Sequence, residues 1–233
     1  MELYDGFTGG KMDPERWEVG QMVQDGQVVW TWRDRNLQVQ VEAGCIELSI
    51  PVFSLYHDEV GIFDNPKALY FSKKHWPIAE KPVSFKTTLA AEFSGNTTDY
   101  KDGFASFHVL DFNTGTVLDV IANGNRLWAI RERLPVPGLA SPVEPFIEVI
   151  DLGVESSPMQ AHEVEIEYDP HTTEARWSVD GVERLRKDVP MDPREVFIAL
   201  GLLTLHPQEN GKSVSCKGQG GRGRWGAIWA GEK

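Results

Sequence analysis

Near its end the chain carries Gly218-x-Gly220-x-x-Gly223, the glycine spacing that cradles a dinucleotide pyrophosphate at the start of a helix. That chemistry needs a strand before the glycines, a helix after them, and a further strand with an acidic residue about 20 positions on. Only ten residues follow Gly223, so the unit has no room and the glycines read as structural. Carboxylates offer a second chemistry. Glu163, Glu165 and Glu167 alternate with Val164 and Ile166, and Glu148 lies near Asp151, but alternation of this kind describes the solvated face of a strand. The six histidines include no His-x-His or His-x-x-x-His pair. No local metal site is therefore expected, and no cofactor. A Gly-x-Ser-x-Gly nucleophile elbow is also absent.

The elements that must position such residues are strands. Helical periodicity is nearly absent, while short runs of β-branched and aromatic residues recur between turn signals. Val28 to Trp32, Leu37 to Val41 and Cys45 to Ile50 read as three early strands. Runs from Val83, Phe104, Thr116, Arg126, Phe146, Glu163, Ala175, Val182 and Val196 continue the series to about a dozen, twice a typical sheet. Asn123-Gly124 and Asp180-Gly181 read as two-residue hairpin turns. Met191 to Glu195 has room for one helical turn. Three irregular segments exceed what hairpins need: Pro51 to Lys67, Lys73 to Pro82, and Leu134 to Pro145 with Pro135, Pro137, Pro142 and Pro145. Such loops serve either as binding edges or as plain connections over a sheet edge. With no repeat or linker, residues 1–233 read as one domain.

Composition narrows the partners. With 35 acidic and 23 basic residues the net charge is −12, which disfavours nucleic acid and anionic membrane surfaces as partners. No run of about 18 apolar residues marks a membrane span. The start MELYDGFTGG has neither a basic nor an apolar leader region, so the expected location is cytoplasmic. Cys45 and Cys216 are then expected as free thiols, and the sequon Asn96-Thr97-Thr98 as unmodified.

Two segments carry a resemblance. Tyr4 to Trp17, with Asp13-Pro14-Glu15-Arg16-Trp17, resembles the opening of concanavalin A-like lectin/glucanase sandwiches. His162 to Pro170 followed by Trp177-Ser178-Val179-Asp180-Gly181 is similar to a stretch of laminarinase-type, family-sixteen glycoside hydrolases and laminin-G-like modules. The tail Arg224 to Trp229 is similar to the closing strand of that fold. The resemblance implies an all-β, two-sheet antiparallel jelly roll with its terminal strands adjacent. In the resembled hydrolases a Glu-x-Asp-x-x-Glu or Glu-x-Asp-x-Glu strand supplies two carboxyl groups about 5–5.5 Å apart. The corresponding strand here is Gly115 to Ala122. Its only acidic residue is Asp119, with Val117 and Ile121 or Ala122 where the glutamates belong. Standard glycoside hydrolysis is thus not expected. The family often holds a calcium ion; here the closing strand Ala227 to Ala230 has no aspartate to charge such a site, and backbone ligands leave no trace in sequence.

The Asn123-Gly124 turn allows a pocket argument. A two-residue turn pairs Asp119 with Trp128 and points both to one face with Val117, Ile121 and Ile130. His108 lies on the neighbouring strand. Asp119 and His108 are the candidate catalytic residues; Trp128, Arg131, Trp30 and Trp32 are candidate ligand-binding residues, although alternation places Arg131 and Arg133 on the face opposite Asp119. Each has a plainer alternative: Trp128, Trp30 and Trp32 as core, His108 as a satisfied imidazole, Asp119 as a cap for nearby amides. The first expectation is a β-sandwich that binds a largely apolar small molecule and acts as a cyclase or isomerase by positioning it. The alternatives are a non-catalytic carbohydrate-binding protein, and a glycoside hydrolase or lyase with relocated carboxylates.

Overall fold

The computed structural model describes the chain except residues 79, 96, 97, 137, 140 and 141. The first two residues of the sequon and Pro137 of the proline-rich loop therefore lie outside the described residues. Two antiparallel sheets face one another. The first runs Val182–Asp188, Glu174–Val179, His162–Asp169, Val83–Phe93, Gly221–Trp225, Cys45–Ile50 and Gln38–Glu42. Ile228–Glu232 also pairs with Val83–Phe93, and Glu2–Asp5 pairs with Ile228–Glu232, so the terminal strands are adjacent. The second sheet runs Phe146–Glu155, Arg126–Arg133, Thr116–Ala122, Phe104–Asp111, Glu195–Leu203, Pro66–Ser72 and Trp17–Val19. This is the expected all-β jelly roll. Among the described residues no helix is long and apolar enough to cross a membrane.

The two sheets differ in their sequence patterns, and the difference locates the site. Strands of the first sheet alternate: Ile46, Leu48 and Ile50 are fully buried while Cys45, Glu47 and Ser49 are only half-buried, so its outer face meets water. In the second sheet Pro66–Ser72, Phe104–Asp111 and Thr116–Ala122 are buried at every position. One set of their side chains, including Phe107, Val109, Leu118, Val120, Leu127 and Leu200, fills the space between the sheets with Trp177, Trp225 and Phe85. Each such buried side chain contributes about 2 kcal/mol. The other set forms two further apolar clusters on the outer face, under loops. A sheet buried on both faces reads as continuous apolar runs, which is why these strands lack alternation.

The glycine run is explained by packing. A Cβ on Gly220 would lie 2.1 Å from the Pro51 carbonyl oxygen, one on Gly221 2.1 Å from Phe93 Cδ1, and one on Gly223 2.5 Å from Ala105 Cβ. Strand Gly221–Trp225 is thus wedged between Cys45–Ile50 and Val83–Phe93, where only glycine fits.

Four details differ from the sequence reading. Pro66–Ser72 is a central strand that begins at the end of the segment read as a loop. Gln27–Thr31 belongs to neither large sheet; it pairs with Gln21–Gln24 in a separate hairpin, and Trp32 lies past its end. Met191 to Arg194 is irregular and Glu195 opens the strand Glu195–Leu203, so no helical turn forms there. The Asn123-Gly124 turn is longer than two residues: Ala122 pairs with Leu127, and Asn123 Oδ1 accepts hydrogen bonds from the Asn125 and Arg126 amides at 3.0 and 3.3 Å. Asp119 therefore pairs with Ile130, and Trp128 with Ile121. The register moves by two positions, so each side chain keeps the face expected of it.

Candidate functional site

The outer face of the second sheet holds a cavity of about 520 Å³. Its floor is laid by alternation along four strands: Leu110 and His108, Val117 and Asp119, Ile130 and Glu132, and Leu203. Two of the three long segments form its rim, contributing Val60, Gly61, Ile62 and Asn65 from one and Leu134 and Pro135 from the other. Trp32, Phe104 and Phe112 complete walls that are mostly hydrocarbon and aromatic.

The rim is pinned by buried polar groups. Trp32 Nε1 donates to the Ile62 carbonyl at 2.9 Å. Asp34 accepts from the Leu55 amide at 2.7 Å and from Ser54 Oγ at 2.6 Å. Lys67, fully buried, donates to Ser215 Oγ at 2.8 Å and pairs with Asp64, which also accepts from Ser213 Oγ at 2.7 Å and Ser215 Oγ at 2.9 Å. A buried charge satisfied this fully holds its loop in one place.

Within the cavity, His108 and Asp119 are cross-strand partners, and Nδ1 of the imidazole lies 2.8 Å from Asp119 Oδ1. Nε2 of the same ring meets Ser106 Oγ, two residues earlier on the strand. With Asp119 ionised, Nδ1–H donates to the carboxylate and the Ser106 hydroxyl donates to Nε2, which fixes the tautomer. The order Ser, His, Asp resembles a nucleophilic triad, but Ser106 is fully buried and does not border the cavity. Its hydroxyl sits over Gly201, where a Cβ would come within 3.0 Å of Ser106 Oγ and Leu69 Cδ1 and 2.7 Å of Leu203 Cδ1. Ser106 therefore locks the ring and has no access to a substrate. From the first sheet, Trp177 Nε1 donates to the Asp119 carbonyl at 2.9 Å and ties the strand across the core.

Glu132 pairs with Val117 and points to the same face as Asp119, so the two carboxyls are diagonal neighbours on adjacent strands. Burial, reinforced by the charge of Asp119, pushes the Glu132 carboxyl up to about 8. Burial also pushes the Asp119 carboxyl up, against the opposing pull of His108. Asn65 Oδ1 borders the cavity without a hydrogen-bond partner among the described residues.

The structure brings Asp119, His108 and Trp32 together at the cavity. Trp128 shares their face but lies beyond the cavity lining, against Tyr100 at 5.4 Å between ring centroids. Arg131 is turned to the opposite face, paired with Glu148 at 2.9 Å and lying over the Phe146 ring. Trp30 packs edge-on to His57 and Phe63, outside the lining. Glu132 and Ser106 escaped the sequence reading. Glu132 stands between two arginines, which makes the strand end look solvated, yet it has the same parity as Ile130 and Trp128. Ser106 lies at the i−2 position of His108. Among the described residues no three His, Cys, Asp or Glu side chains are grouped to hold a metal ion.

Glycoside hydrolases are among the solved structures similar to this chain. One is the catalytic domain of an endo-1,3-beta-glucanase (laminarinase) from Thermotoga petrophila, at 16% identity over 97% of this chain and 94% of that chain, with a TM-score of 0.57. A second is a Bacteroides ovatus mixed linkage glucan GH16 in complex with a product, at 12% identity over 97% and 98%, TM-score 0.60. A third is a glycosyl hydrolase family 16 protein from Mycobacterium smegmatis, at 14% identity over 98% of both chains, TM-score 0.55. At these identities the likeness establishes the fold, a concanavalin A-like lectin/glucanase sandwich. Comparison with curated proteins gave no match. The sequence itself matches a family model over residues 4–229, and the chain belongs to that family, DUF6081, a family of unknown function.

Proposed function

We propose that the cavity binds a compact, largely apolar organic molecule and that the chain catalyses a redox-neutral rearrangement of it, a cyclisation or isomerisation. A volume of about 520 Å³ suits a ligand of drug size, and the hydrocarbon walls offer few partners for the many hydroxyls of a sugar. The observation that carries the reading is the pair of carboxyls in otherwise apolar surroundings. A carboxyl pushed up to about 8 is a neutral acid at neutral pH and can give a proton. Asp119, held by His108, is a carboxylate whose burial strengthens it as a base. In one turnover Asp119 takes a proton from a ligand carbon, and Glu132 delivers one to the atom that gains the electron pair. Asp119 then gives its proton to a different ligand atom as the electron pair returns, and Glu132 takes its own proton back, which restores both groups with no oxidant or reductant needed. Fixed walls add positioning, which can contribute several kcal/mol by itself.

A carbohydrate occupant is the second reading. It is favoured by two carboxyls on adjacent strands of a fold shared with glucanases, the arrangement that a glycosidase with relocated carboxylates would use. Native mass spectrometry of the purified protein, with calorimetric titration by apolar aromatics and by laminarin oligosaccharides, separates the two. Binding of the aromatics alone is expected. Cleavage of the oligosaccharides, lost in Glu132→Gln, would refute the first reading.

A further inference from the structure

Glu132 differs from the other ionisable groups around the cavity. Asp119 and His108 satisfy one another, and Ser106 takes the second imidazole nitrogen. Arg131 and Arg133, its neighbours in sequence, point to the opposite face, where Arg131 pairs with Glu148 and Arg133 donates to the Leu139 carbonyl at 3.4 Å. Val117 and Ile147, its partners on the two adjacent strands, bring no charge. Tyr100 and Lys101 border the cavity from the short turn Tyr100–Asp102, and neither bonds to Glu132. Among the described residues, then, the Glu132 carboxyl has neither a hydrogen bond nor an ion pair, and Asp119 is the only charge acting on it.

A carboxyl in this setting stays protonated, and a protonated carboxyl is a hydrogen-bond donor whose proton must find an acceptor. None of the described residues is bonded to it, and the carboxyl faces the cavity, so a ligand seated there is placed to accept it. We infer that the cavity takes an uncharged apolar ketone or aldehyde whose carbonyl oxygen accepts a hydrogen bond from the Glu132 carboxylic acid. This rests on the acid–base reading above and names its substrate class. A ligand carboxylate or phosphate would meet Asp119 in the cavity, and the one lysine or arginine among the described lining residues, Lys101, is exposed at the rim. A ligand ammonium would find Asp119 already satisfied by His108 and would have to shed its own hydration against hydrocarbon walls. A carbonyl needs neither, and activation of its α-carbon is the step for which Asp119 is placed.

The test compares four probes of one shape: ethylnaphthalene, acetylnaphthalene, naphthoate and naphthylmethylammonium, titrated calorimetrically into the full chain. The ketone is expected to bind about tenfold more tightly than the hydrocarbon, the worth of one well-made buried hydrogen bond. Naphthoate is expected not to bind. The ketone's advantage should vanish in Glu132→Leu and persist in Glu132→Gln, whose amide still donates. In the wild type that advantage should fall above about pH 8 as Glu132 ionises, and in Glu132→Gln it should not. Equal affinity for ketone and hydrocarbon, or tighter binding of the anion or the ammonium, overturns the substrate class and leaves the apolar cavity standing. Failure of all four to bind overturns the cavity reading with it.

Discussion

Replacing Glu132 by glutamine should stabilise the protein, by an amount set by pH. Burial raises this carboxyl from 4.5 to about 8, so the folded chain holds a proton that the unfolded chain has released. The sign follows: wild-type stability is complete below about pH 4.5 and is lost as pH rises through about 8. Linkage puts the cost at about 3 kcal/mol at pH 7 and about 4–5 kcal/mol above pH 9. Glutamine is neutral throughout, and its side chain has the same shape, so the variant escapes the cost. For a chain of this length about 3 kcal/mol corresponds to roughly 6–12 °C in Tm. Urea unfolding of both proteins at intervals between about pH 4 and 9 measures the gap directly. The two curves should coincide at the acid end and separate steadily toward neutrality, with the variant the more stable. A variant that is less stable at pH 8, or a gap that does not change with pH, would show that Glu132 is ionised and partnered in the folded state, and the assignment of a neutral acid would fail.

Other consequences are testable beside it. Asp119→Asn should leave the fold intact and slow exchange of the acetylnaphthalene methyl protons in deuterium oxide, since an amide is no base; an unchanged rate would remove Asp119 as the base. Arg131→Ala should leave ligand affinity unchanged, because Arg131 lies on the far face; a loss there would place the ligand elsewhere. Gly221→Ala, whose new methyl would lie 2.1 Å from Phe93 Cδ1, should cost about 1–3 kcal/mol in thermal unfolding, and Gly218→Ala, in open space, about 1 kcal/mol from its positive φ alone. The reverse order would contradict the packing account of the glycine run. Cys45 and Cys216 are free, and both should react with a thiol reagent in denaturant without prior reduction; in the folded state Cys216 should react slowly, because burial pushes its thiol up.

The fold was legible in the sequence because its signals are local. Strand-length runs, the Asp180-Gly181 turn and the Trp177 strand each depend on residues close together in the chain. Pro66–Ser72 was harder, since a strand buried on both faces shows no alternation and its start is marked only by a proline. The site was legible in part. Parity put Asp119, Val117 and Ile130 on one face, and that survives an error in the register because the turn is longer by an even number of residues. The register itself was not readable: Asn123-Gly124 signals a two-residue turn, but the Asn123 side chain captures two following amides and opens the loop. Glu132 was hidden by its charged neighbours. What separates it from them is an apolar environment to which a loop far away in sequence, around Ile62, contributes.

The central claim is that an apolar molecule sits on the outer face of the second sheet, above Asp119 and Glu132. Crystals soaked in bromonaphthalene test it most directly, because the anomalous signal of bromine locates the ligand without assumption. One strong peak is expected inside the cavity bounded by Leu110, Val117 and Ile130. A cavity that stays free of bromine while crystals soaked in laminarin oligosaccharide show sugar bound to Asp119 and Glu132 would contradict it.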